Sequence, residues 1–154
     1  MLDSAYFKKW VTDVMSIAEK TNRIDSVRHY LGRLLFHSPV SKDGLFIDKV
    51  VAEFLNSDDK GNMISGYYAE AIDSRGVHIV DETGNAEFKL EEDYREKALM
   101  VEKEGFTRFA NTLRAIARNY HDEALHNIEE AQKWKEKDGK MMECYKTKLK
   151  EGLS

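Results

Sequence analysis

One cysteine, Cys144, and one proline, Pro39, in 154 residues set the first limits on this sequence. A lone thiol forms no disulfide within the chain and cannot build a thiolate-clustered zinc or iron-sulfur site. Such usage fits a reducing cytosol. With so little proline, long stretches are free to run as helix. No stretch approaches the roughly eighteen apolar residues of a membrane span. The opening "MLDSAYFKKWVTDV" scatters charges and aromatics where a secretory leader needs an unbroken apolar run. A basic surplus is lacking too: the formal charge of -4 argues against the phosphate backbone of nucleic acid as the main partner. No membrane or nucleic-acid partner is therefore expected, and a cytoplasmic location is.

What is present is an ordinary globular mixture, 42% hydrophobic and 34% charged. A chain of this length buries roughly two-thirds of its unfolded surface, enough for one core without staples. The hydrophobic spacing is helical. Tyr6, Phe7, Trp10, Val11, Val14, Ile17 and Ala18 fall on one stripe, as do Val27, Tyr30, Leu31, Leu34 and Leu35. "LFIDKVVAEFLN" repeats the pattern, and "MISGYYAEAID" is a fourth segment in which Gly66 costs about 1 kcal/mol relative to alanine. Around the turn-rich "DETGN", the runs Val77 to Val80 and Ala86 to Phe88 suggest a small β-hairpin near residues 76–88.

A fifth helix is expected from about Leu90 to the glycine of "EKEG", and a long sixth from Phe106 to about Lys133. Gly139 is expected to interrupt the C-terminal stretch, leaving a weaker final segment with Met142, Tyr145 and Leu149. The fold class is mainly α: a compact bundle of about six helices forming a single domain over 1–154. Charge is uneven along it. Residues 133–151 carry seven lysines against four acids, and 81–104 carry nine acids against four basic residues. Such runs are chiefly solvated faces and secondarily docking patches.

Candidate sites are few. Glu123 and His126 have the E-x-x-H spacing that di-iron bundles use for metal. Turning each residue 100° from Phe106 puts Ala124 at about 0° but His126 at about -160°, on the solvent side. No other histidine has a glutamate three residues before it, so half of a ferritin-like metal-binding site is missing, and no cofactor is expected. In "DSRGVH", Gly76 suits a tight turn from which Arg75 would project, making Arg75 and His78 a candidate partner- or anion-binding pair. Asp43 of "SKDG" has the same standing, with turn chemistry as its plainer role. Cys144 has no histidine near it and reads as a small, partly buried residue.

Three resemblances accompany these residues. "EKEGFTRFANTLRAIARNYHDEALH" resembles the helical hairpin of rubrerythrins, with Tyr120 and Glu123 where that family has its Glu and His ligands. The likeness implies a helix-turn-helix packing style and neither iron nor peroxidase activity. "KDGLFIDKVV", "SRGV", "YREKA" and "LRAIARNYHDEA" are similar to a group of small bacterial helical proteins with no assigned activity, implying a bacterial origin. Arg23 and His29 in "RIDSVRH" resemble the R-x(4–6)-H motif of HEPN ribonucleases.

The leading expectation is a non-catalytic protein-protein interaction or regulatory protein of a bacterial cytoplasm, docking a protein partner or a second copy through the long helix. A small HEPN-like ribonuclease using Arg23 and His29 is the rival, and a ferritin-like metal-binding bundle the third reading.

Overall fold

The structure, a computed structural model, describes residues 3–76 and 80–151. Among the described residues six helices run in chain order: α1 (Ser4–Lys20), α2 (Ile24–Leu35), α3 (Lys49–Asn56), α4 (Asn62–Asp73), α5 (Asn85–Lys103) and α6 (Thr107–Glu151). No strand occurs among the described residues. The most extensive packing is between α5 and α6, and next between α2 and α4.

Each start has a local cause. Asp3 accepts from the Tyr6 N–H at 2.9 Å and caps α1. Asp48 does the same for α3, accepting from Val50 at 3.0 Å, which is why that helix begins later than the apolar spacing of "LFIDKVV" suggests. Leu45 and Ile47 instead alternate inward from the loop ahead of it, and both are buried. Gly61 precedes α4 without a side chain to cap it, and the buried Asp58 takes that role, accepting from the Met63 and Ile64 N–H groups at 2.7 and 3.1 Å. Arg28 of α2 neutralises the same carboxylate at 2.8 Å. The first N–H groups of α6 are met from afar, by Asn56 Oδ1 accepting from Arg108 and Phe109 at 2.9 and 3.2 Å.

The expected hairpin over 76–88 is corrected. Ala86–Phe88 form the first turn of α5, and Val80 is not in a strand; Val77, His78 and Ile79 lie outside the described residues. "DETGN" is a helix start. Asp81 accepts from the N–H groups of Thr83 and Ala86, at 2.9 and 3.1 Å, and Gly84 supplies the left-handed residue before Asn85. These bonds keep the Asp81 carboxyl below the usual carboxylate range, the Thr83 hydroxyl contributing most. Gly139 does not interrupt α6 either. A solvent-facing glycine costs a helix about 1 kcal/mol, which its neighbours absorb, so α6 continues for 45 residues, about 68 Å.

Gly66 is required by a close contact. A Cβ there would lie 1.9 Å from the His29 carbonyl oxygen, and one on Gly32 would lie 1.8 Å from that of Met63. The backbones of α2 and α4 touch at this crossing. The core gathers around Phe109, Leu113 and Ile116 of α6, against Val51 and Leu55 of α3, Met63 and Tyr67 of α4, and Ala98 and Val101 of α5. Not all of the expected stripes are buried. Tyr6 and Ile17 of α1, and Tyr30 and Leu34 of α2, face solvent.

Candidate functional site: an ion cluster at the bundle end and an open seam beyond it

Arg75, expected to project from a turn, points inward. Gly76 takes φ 62° just after α4, and the guanidinium reaches two helices at once. One nitrogen donates to Glu123 of α6 at 2.9 Å, and the other pairs with the fully buried Glu87 of α5. The guanidinium also lies 5.6 Å from the ring centre of Tyr120, whose hydroxyl donates to the Ala71 carbonyl at 3.1 Å. Burial pushes the Tyr120 phenol up, against the pull of Arg75. Two carboxylates thus share this guanidinium, and the cluster locks the end of α4 to α5 and α6. An anion arriving at Arg75 would compete with both. His78, its expected companion, lies outside the described residues.

Asp43 is far less constrained. It is exposed in the loop before α3, 3.5 Å from Lys49, which also bridges to Glu104 at 2.9 Å. Arg23 and His29 are not brought together by any shared cleft. His29 is half-buried on the wall of a groove of about 380 Å³ with Asp25, Ser26, Asn62 and Ser65; Arg23, exposed before α2, is not among the lining residues. Glu123 and His126 diverge as the helical wheel requires, the first toward Arg75 and the second to solvent. Among the described residues no group of three or more His, Cys, Asp or Glu side chains converges as a metal site.

Between α5 and α6 lies a shallow cleft of about 370 Å³ with Arg95, Arg114 and Arg118 around Leu99. Two of these arginines are occupied. Arg95 pairs with Glu91 at 2.5 Å, and Arg114 with Glu102 at 2.5 Å. Glu91 also meets His121 at 2.9 Å; although burial works to raise its carboxyl, the bonds to His121 and Arg95 prevail and hold it below the ordinary glutamate range.

The more distinctive feature is on α6. Leu113, Ala117, Tyr120, Ala124, Asn127 and Ala131 recur at alternating spacings of four and three, the rhythm of a coiled-coil seam. All are buried except Ala131, which is half-buried at the bundle's rim. The same rhythm continues without a break through Trp134, Asp138, Met141, Tyr145 and Lys148. Here it is uncovered: from Gln132 to Leu149 every residue is exposed, with Trp134 at 61%, Met141 at 52%, Tyr145 at 59% and Leu149 at 66%. Among the described residues Lys135 makes the last ion pair back to the body, with Glu82 at 3.2 Å. Beyond it the helix stands alone, with Lys137 folded over the Trp134 ring at 5.3 Å.

The expected sites omit this exposed stretch of α6. Its signal was available, since the four-three spacing crosses Gly139 in register. Reading that glycine as an interruption concealed it. No protein-family model, curated protein sequence or solved structure matches the chain.

Proposed function

We propose that the protein is a non-catalytic interaction protein, and that the free end of α6 is the element it offers. The observation that carries this reading is the uncovered seam: the four-three spacing that is buried inside the bundle over residues 113–127 continues, exposed to solvent, over 134–149. An exposed seam of this spacing that carries Trp134, Met141 and Tyr145 is a helix-in-groove or coiled-coil surface. The ion-paired polar groups of the body support the same reading, because the half-buried Arg75 and Arg28 are each tied to a fully buried carboxylate, Glu87 and Asp58.

A photo-crosslinking residue at position 142, beside the seam, tests the proposal in the native host. The reading expects one discrete adduct, lost when Met141 and Tyr145 are both changed to glutamate; only uncrosslinked chain would refute it. The ribonuclease reading is the lesser one, supported by the place of His29 on a polar groove. It requires RNA cleavage that disappears in His29→Ala, and equal cleavage by that variant would remove it.

A further inference from the structure

Resting on that docking reading, we infer that the occupant of the open seam is the same seam of a second copy, paired antiparallel about a two-fold axis level with Glu143. Self-complementarity points to it. In an antiparallel helix pair the two kinds of seam position alternate opposite one another. An axis at Glu143 sets Asp138 opposite Lys148 of the second copy, and Met141 opposite Tyr145 of the second copy. By symmetry each contact occurs twice. Both residues of each pairing lie equally far from the axis, five positions for the charged pair and two for the apolar pair.

Charge excludes the parallel alternative, which would stack Asp138 on Asp138 and Lys148 on Lys148. The remaining tail lysines do not spoil the antiparallel arrangement. Lys133, Lys140 and Lys146 occupy positions outside the seam, Lys135 is paired with Glu82, and Lys137 lies along the flank over the Trp134 ring. Met142 and Leu149 extend the apolar strip along one flank. The axis lies about 18 Å along the helix from the rim residue Ala131, so the two bundles sit at opposite ends of the paired segment and do not collide. A helix already nucleated by its bundle also escapes the initiation cost that makes short free helices marginal.

Light scattering on the full chain over a concentration series tests this. The wild-type mass rises from 17.8 kDa toward twice that value. Asp138→Lys sets two lysines face to face and weakens association at least tenfold; the exchange Asp138→Lys with Lys148→Asp restores it. Circular dichroism confirms that each variant keeps its helix, since both positions are exposed. As a second measurement, Cys144, a free and exposed thiol one residue from the axis, gives a covalent dimer with a short bis-maleimide reagent.

A chain that stays at 17.8 kDa throughout, or a dimer indifferent to Asp138→Lys, overturns the inference. So does binding to phosphatidylglycerol vesicles without self-association, which would assign the seam to a lipid surface. The crosslink at position 142 separates the docking reading from the choice of occupant. An adduct of mass other than two chains leaves the docking reading standing and removes the second copy; no adduct removes both.

Discussion

The two halves of α6 share one spacing and differ in what covers them. Over residues 113–127 the seam is closed by α5 and by core residues of α3 and α4; over 134–149 the same spacing meets water. Continuous helix therefore does not require continuous burial. The first half is held by packing, and the second by its attachment to the first and by residues with adequate helix propensity. A seam position is a stability determinant in one half and, on the docking proposal, a surface for recognition in the other.

Substitutions should separate the halves by size of effect. The largest loss is expected for Arg75→Met, which leaves the fully buried Glu87 without its arginine; removing one partner of such a pair costs about 3–5 kcal/mol. Urea denaturation measures it, and a cost below about 1 kcal/mol would mean that the cluster does not hold the bundle end together. Next comes Leu113→Ala at a position with no exposure, expected to cost about 3 kcal/mol, against Met141→Ala in the free monomer at within about 0.5 kcal/mol. Equal costs would erase the distinction between the halves.

A smaller effect is expected from acid. The folded-state carboxyl of Glu91 lies below its unfolded value, so its contribution is present above the ordinary glutamate range and is lost as pH falls through the lowered one. Urea midpoints in wild type should drop over that interval more steeply than in Glu91→Gln; parallel curves would contradict the assignment. The smallest effect concerns Gly139→Ala. It should raise tail helicity by about 1 kcal/mol of local stability while leaving the bundle's unfolding midpoint unchanged, read by amide exchange beside urea denaturation.

Much of the helical architecture was legible, because apolar residues at helical spacing announce it locally. Failures had local causes too. Ala86–Phe88 is too short a run to distinguish a strand from a helical turn, and the decisive bonds from Asp81 reach forward to Thr83 and Ala86. Gly66 read as a weak point because its benefit lies at a crossing with His29, 37 positions earlier. Arg75 could be singled out but not oriented. Its partners stand 12 and 48 residues away, and no local pattern carries such a pairing. The open seam was readable from spacing, whereas its exposure depended on where α5 begins.

Amide hydrogen exchange across residues 134–149, followed as protein concentration is raised, is the decisive measurement on the open seam. Exchange in these residues is expected to slow as concentration rises, while Leu113 and its neighbours stay protected at every concentration. Fast exchange in 134–149, unaltered from the most dilute sample to the most concentrated, would contradict self-pairing of the helix.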